Sequence, residues 1–270
     1  VGTYALAWSI GVPDFMPANP MTVTEFMEIA AEAGAECVQI ADNIPLDKWG
    51  KRDWIKIKDY ANRLNLDLEL GMRGLTRERM KTYLEICQLM DCRLLRLVID
   101  EAQYHPALDE VILLIKEFVP ALEEANVRLA VENHDRFSWI DFLEIVQNTD
   151  EQWVGICLDS VNSLGKGEGF FQVAKKLIPH TINLHVKDYM ICRKPHNMGF
   201  EVYGTIAGEG MLPIPWLFEQ IKRYGLCHSA ILELWTPPEG TIEQTIKKEQ
   251  NWMRKSMTYL HNLQVTPSIA

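Results

Sequence analysis

Short apolar runs of strand length alternate with longer stretches of helical periodicity along the whole chain, and that alternation most limits what it can fold into. The strand-length runs are residues 4–10, 37–41, 66–72, 94–99, 128–133, 154–159, 181–187 and 230–235. Between them lie amphipathic segments with defined ends. One opens at Thr22 with Glu25 three residues on, the spacing of a capping box, and closes at Gly34. Another starts at Pro213 or Pro215, runs through Trp216, Phe218 and Ile221, and stops at Gly225. Strands separated by helices pair in parallel through right-handed crossovers. Eight such units predict a closed (β/α)8 barrel, a TIM barrel of the α/β class. No linker divides the chain, so one domain is expected over residues 1–270. A doubly wound open sheet would carry a glycine-rich turn after its first strand, and Ser9-Ile10-Gly11-Val12-Pro13 lacks one.

A chain of 270 residues is an ordinary length for such a barrel, and 47% hydrophobic with 24% charged residues suits a large buried core. The formal net charge of −10 repels phosphate backbones, so no nucleic-acid partner is expected. No apolar run reaches the roughly 18 residues of a membrane-spanning helix, so no membrane partner is expected either. The six cysteines are scattered without a Cys-x-x-Cys pair, which suggests free thiols in a reducing compartment. Val1-Gly2-Thr3-Tyr4 opens no basic-then-apolar leader, and a cytoplasmic location is the expectation.

In a barrel of this kind chemistry sits at the C-terminal ends of the strands. Four neighbouring runs end in ionisable residues: Val131-Glu132-Asn133-His134, Leu158-Asp159, Leu184-His185-Val186-Lys187-Asp188 and Leu232-Glu233. Period-two alternation turns Asn183, His185 and Lys187 one way and Leu184 and Val186 the other. An unpaired buried carboxylate costs several kcal/mol, so three of them converging require compensation. Three carboxylates and one imidazole suit a hard or borderline divalent cation, with Mn²⁺ preferred and Mg²⁺, Co²⁺ or Zn²⁺ as alternatives. A structural zinc site would be richer in sulfur and closed.

At these residues, and at Ala207-Gly208-Glu209-Gly210 leading into Pro213-Ile214-Pro215-Trp216, the chain resembles the sugar-phosphate isomerase/epimerase family, the xylose-isomerase-like barrels. The resemblance runs through nearly the whole chain. It implies that Glu132, Asp159, His185 and Glu233 bind the metal, and that Glu132 and Glu233 are the catalytic pair exchanging the substrate proton. Such a pair, facing opposite sides of a carbon next to a ketone, acts as base and conjugate acid on an enediolate. Return from the other face is epimerisation, and transfer to the next carbon is isomerisation. Loss of a β-substituent instead gives lyase or dehydratase chemistry, as in the family's inosose dehydratases. Two positions depart from the family's ketose 3-epimerases: Asn162 stands where they have histidine, and Ile191 where they have arginine, with Arg193 close by. The absent histidine and the acidic charge also set the chain apart from the multi-zinc repair endonucleases of the same superfamily.

The segment 189–212 is long for a connection and leaves the barrel at its active end, which suggests a substrate-covering loop. Trp8, Asn162, Lys187, Arg193 and His196 are the candidate substrate-binding residues. Gln39, Asp42, Glu69 and Arg73 are further polar groups near strand ends, and His134 is placed to orient a ligand. Gly165-Lys166-Gly167-Glu168-Gly169 lacks the ending of a phosphate-binding loop. The expected activity is a metal-dependent isomerase or epimerase acting on a ketose or keto-polyol. A metal-dependent lyase or dehydratase is the alternative, and a non-catalytic sugar-binding barrel the second. The expected partner is a small carbohydrate, with a homodimer as the candidate assembly and no organic cofactor.

Overall fold

The computed structural model describes residues 1–265, so residues 266–270 of the predicted domain lie outside the described residues. Among the described residues there are nine strands: β1 Cys37–Ile40, β2 Asp67–Arg73, β3 Leu94–Val98, β4 Arg128–Glu132, β5 Val154–Asp159, β6 Thr181–Val186, β7 Tyr189–Arg193, β8 Phe200–Gly204 and β9 Ala230–Leu232. The helices are α1 Ala7–Ile10, α2 Val23–Glu32, α3 Lys51–Arg63, α4 Arg77–Met90, α5 Leu108–Ala125, α6 Trp139–Gln147, α7 Phe170–Leu177, α8 Ile214–Tyr224 and α9 Ile242–Val265. Seven strands pair in parallel in the order β1-β2-β3-β4-β5-β6-β9 and form a nearly closed barrel wall. No helix among the described residues is long and apolar enough to cross a membrane.

Local chemistry sets the helix ends as the spacing predicts. Thr22 caps α2 by accepting from Glu25 N, while the Glu25 carboxylate accepts from Thr22 N, the reciprocal pair of a capping box. Gly225, in the left-handed region at φ 66°, stops α8. The apolar faces of the helices pack on the outside of the wall, where Phe26 and Phe142 are buried almost completely. Burial of each such ring stabilises the fold by about 1.5–3 kcal/mol. Inside the barrel the apolar content is small. Ala130, Cys157 and Ile182 form a thin layer with Leu94 against it, and polar side chains fill the space beyond.

Residues 4–10 are a correction to the expected first strand. They form a 3-10 turn, Thr3–Leu6, followed by α1. The reason lies far along the chain: the Glu249 carboxylate on α9 accepts from Trp8 N, Ser9 N and Ser9 Oγ, each at 2.9 Å. That carboxylate caps the backbone N–H groups at the start of α1, which a strand would have spent on a ladder. The wall closes instead through the two residues before the turn. Gly2 N donates to Leu232 O and Gln39 N donates to Val1 O, both at 3.0 Å. The eighth ladder is therefore a single bridge, Gly2 to Gln39. A Cβ on Gly2 would stand 2.9 Å from Ile231 Cγ2, so the seam is tight.

The long connection 189–212 is an antiparallel hairpin of β7 and β8. Its root is held by Asp188, whose carboxylate accepts from the backbone N–H groups of Tyr189, Gly208, Gly210 and Leu212 at 2.8–3.0 Å. Gly210 has to be glycine there, since a Cβ would come within 2.1 Å of Asp188 Oδ1. The same carboxylate explains why the Ala207-Gly208-Glu209-Gly210 motif follows the His185 strand.

Candidate metal centre

Glu132 and Asp159 are the last residues of β4 and β5, His185 lies in β6, and Glu233 follows β9 directly. Register brings Asp159 beside His185, and Glu233 N donates to Val186 O at 3.0 Å. All four side chains are buried. His185 Nδ1 lies 3.4 Å from Glu233 Oε1, 3.8 Å from Glu132 Oε2 and 3.9 Å from Asp159 Oδ2. Donors around a small dication stand about 3–3.5 Å apart, so these separations need only a small contraction. Among the described residues His185 Nδ1 is buried without a hydrogen-bond partner, and Asp159 Oδ2 beside it faces only the Lys187 ammonium at 2.9 Å. A buried unpartnered ring nitrogen surrounded by carboxylate oxygens fits a divalent cation. The ligand-type atoms of Asp159, His185 and Glu233 all lie within 4.8 Å of one another, as do those of Glu132, Cys157 and His185. Cys157 is a poor ligand, because its Sγ lies 3.2 Å from Asn183 Oδ1 and burial pushes the thiol up.

Each donor is braced. Asp159 Oδ1 accepts from Val161 N and Asn162 N, both at 2.8 Å, which leaves Oδ2 for the cluster. Asn162 Nδ2 donates to Glu132 Oε1 at 2.8 Å. His185 Nε2 lies 2.8 Å from Gln39 Oε1. Two buried cations face the carboxylates. Lys187 Nζ sits 2.9 Å from Asp159 Oδ2 and 2.8 Å from Glu233 Oε2. Arg96 Nε lies 3.1 Å from Glu132 Oε2, and its Nη1 lies 3.3 Å from Asp42 Oδ1. Asp42 Oδ2 in turn takes Arg73 Nε at 2.9 Å and the Tyr4 hydroxyl at 3.0 Å.

The electrostatics follow from burial opposed by charge. Burial drives the His185 imidazole down to about 4, so the ring is neutral at pH 7 and offers a lone pair. Burial also pushes the Glu132 carboxyl up, against the pull of Arg96 and with repulsion from Glu233 and Asp159. At Glu233 burial acts the same way, but Lys187, His185 and Arg96 together hold the carboxyl below its usual range. The two carboxylates are thus driven apart in proton affinity, the arrangement that separates an acid from a base.

The structure brings Glu132, Asp159, His185, Glu233, Asn162 and Lys187 into one cluster. Trp8 has its contacts elsewhere: its Nε1 donates to Thr236 O at 2.9 Å, and its ring meets Phe15 edge-on at 5.8 Å. Arg193 and His196 lie in the hairpin, where their contacts are local. Arg193 stacks over Phe200 and donates to Asn197 O, and His196 Nδ1 accepts from Met198 N. Arg96 was absent from the sequence-based site. Its signal was legible: a charged residue at the inward position of the apolar run Leu94-Leu95-Arg96-Leu97-Val98 needs a buried partner. Gly71 makes room for it, since a Cβ there would be 3.0 Å from Arg96 Cζ and Nε.

With this geometry in view, the chain belongs to the xylose isomerase-like TIM barrel family, whose model matches residues 27–256. It is 30% identical over 263 residues to a 3-oxo-isoapionate decarboxylase from Pectobacterium atrosepticum, covering 97% of this chain and 94% of that protein. Among solved structures, D-psicose 3-epimerase with D-tagatose from Clostridium cellulolyticum matches at TM-score 0.69 and 16% identity, over 90% of this chain and 93% of the other. A xylose isomerase-like TIM barrel protein from Mycobacterium smegmatis in complex with magnesium matches at TM-score 0.65 and 12% identity, over 94% and 95%. The structural likenesses establish the fold. The named relatives include enzymes of more than one reaction type.

Proposed function

We propose that this protein is a divalent-metal-dependent enzyme that decarboxylates a 3-oxo sugar acid. Glu132, Asp159, His185 and Glu233 hold the metal, with Mn²⁺ as the preferred ion. The observation that carries the reading is the charge count of the cluster. Glu132, Asp159 and Glu233 contribute three negative charges, and Arg96 and Lys187 return two positive ones, which leaves −1; adding the Asp42–Arg73 pair changes nothing. A dication brings the total to +1, which complements a substrate carboxylate. The same carboxylates without the two buried cations would stay at −1 and suit a neutral ketose. The decarboxylase relative, matched over nearly its whole length, supports the same assignment.

When bound, the metal supplies a positive charge that stabilises an oxyanion next to it. Lys187 and Arg96 offer the protein's own positive charge to an anionic substrate, and the buried cluster excludes water around it. As the carboxyl group leaves as CO2, the electrons of the breaking C–C bond pass to the neighbouring carbonyl oxygen. The carbon left behind then takes one proton. Glu132, the carboxyl of higher proton affinity, takes that proton up from solvent and passes it to the carbon, returning to the ionised form, while Glu233, held ionised by Lys187, keeps its charge.

A second reading is favoured by a different observation. Glu132 and Glu233 both approach His185 Nδ1, at 3.8 and 3.4 Å, as an epimerase's proton pair would. Incubation of the Mn²⁺-loaded protein in D2O with 3-oxo sugar acids and with neutral ketoses separates the two. One CO2 released and one deuterium gained per product, both lost in Glu132→Gln, is the expected result. Deuterium exchange into neutral ketoses without CO2 would replace the first reading with the second, and inertness toward both classes would remove both.

A further inference from the structure

Among the described residues His185 has a single hydrogen-bond partner. Its Nε2 lies 2.8 Å from Gln39 Oε1, and its Nδ1 has none. Which ring nitrogen carries the proton therefore depends on which end of the Gln39 amide faces it. That choice is made one layer deeper in the barrel, by groups outside the metal cluster. Gln39 Nε2 donates to Glu69 Oε2 at 3.1 Å and to Asn183 Oδ1 at 3.2 Å. Asn183 Nδ2 donates to the same Glu69 oxygen at 3.1 Å and to Ser229 Oγ at 2.7 Å. Cys157 Sγ meets Asn183 Oδ1 from the other side at 3.2 Å.

Donor and acceptor types fix every orientation in this network. A carboxylate only accepts, so Glu69 draws the NH2 ends of Gln39 and Asn183 toward itself. Turning Gln39 over would turn its NH2 to His185 Nε2 and select the Nδ1–H tautomer, but it would press the Gln39 carbonyl oxygen against the Glu69 carboxylate and the Asn183 carbonyl, a repulsion between buried groups. Strand register supports the arrangement, because Gln39 of β1 pairs directly with Glu69 of β2. Glu69 also lines a cavity of about 470 Å³ at the N-terminal end of the barrel, so the relay spans the barrel from that cavity to the cluster.

We infer that Glu69 and Gln39 form a positioning relay that holds His185 as the Nε2–H tautomer and keeps its Nδ1 lone pair turned to the Glu132–Asp159–Glu233 cluster, ready for a divalent cation. The part concerning the cation rests on the function proposed above; the tautomer does not.

Two-bond ¹H–¹⁵N correlation spectra of the metal-free protein at neutral pH test the relay directly, with His185 assigned by comparison with a His185→Gln sample. The expected pattern is a protonated Nε2 and a bare Nδ1. Gln39→Leu is expected to lose that preference and to weaken Mn²⁺ binding, read by calorimetry, by about tenfold or more. Exchanging the pair, with Gln39→Glu and Glu69→Gln in one chain, restores an acceptor toward Nε2 and a donor beneath it. This variant is expected to keep the tautomer and to bind Mn²⁺ within about threefold of the original. A protonated Nδ1 in the original protein, or an unchanged tautomer and affinity in Gln39→Leu, overturns the relay. If Gln39→Leu does not fold, the spectrum of the original protein and the exchanged pair still decide. An Nε2–H spectrum together with no Mn²⁺ binding supports the relay and overturns the metal reading instead.

Discussion

In β4, β5, β6 and the residue after β9, the inward positions near the C-terminal ends present lone pairs: Glu132, Asp159, His185 and Glu233. In β1, β2 and β3 the barrel-facing polar residues are Gln39, Glu69, Arg73 and Arg96 at several depths, with Gly71 leaving space for the guanidinium. The β4–β9 half of the wall gathers donors that repel one another. The β1–β3 half engages them from behind, through Gln39 on His185 and Arg96 on Glu132. Among the described residues Lys187 alone brings a cation to the cluster from the donor side. The contrast teaches that converging buried carboxylates need an opposite wall of cations and amides whether or not an ion joins them. Each uncompensated buried carboxylate would otherwise cost several kcal/mol.

The largest effect should come from the donor half. Glu132→Gln or Glu233→Gln is expected to lower turnover by about 10²–10⁴-fold, measured as CO2 release and deuterium uptake. A variant that keeps its turnover would show that the division between halves is drawn in the wrong place. On the bracing half, Arg96→Met leaves Glu132 and Asp42 without their shared cation. Loss of one partner from a buried pair costs about 3–5 kcal/mol, so a clear fall in melting temperature is expected, with Arg96→Lys recovering part of it. Gly71→Ala is the milder version, moving the guanidinium without removing its charge. Unchanged stability in Arg96→Met would make that half of the wall idle.

A third change lies outside both halves, at the seam. Burial pushes the Glu249 carboxyl up to about 7 despite the donors from Trp8 and Ser9. With the folded value above the unfolded one of 4.5, the folded protein holds an extra proton between the two. Stability from this group is therefore full below the unfolded value and is lost as pH rises through the folded one. Chemical denaturation across that window should show a downward slope that Glu249→Gln flattens; an equal slope in both would assign it elsewhere. The smallest effect is expected at Thr22→Ala, which removes a solvent-exposed capping box for about 1 kcal/mol and should leave Mn²⁺ binding untouched. A change in binding there would mean that the halves are not energetically separate from the rim.

Much of this was legible because burial leaves a pattern. The seven wall strands and the helix ends at Thr22 and Gly225 follow from alternation and capping residues that act locally. The cluster of four was legible because an ionisable residue at the end of an apolar run is costly without a partner. Residues 4–10 misled for the complementary reason. A short apolar run reads as strand or buried helix alike, and Glu249, some 240 positions away, decides between them. The bracing role of Gln39 and Glu69 was equally hidden, since it depends on which strands become neighbours. Arg96 could have been found by asking what a charge was doing inside Leu94–Val98.

The Asp188 carboxylate gathers backbone from both ends of the β7–β8 hairpin into one knot, directly after the strand that carries His185 and Lys187. In mechanical terms the hairpin is a cantilever clamped at its root. Its stiffness is set at the clamp, and the exposed tip with Met198 and Phe200 supplies reach. A load applied at that tip reaches the end of β6 through this clamp and the backbone beside it, where Thr205 N donates to Asp188 O and Met211 N to Tyr189 O.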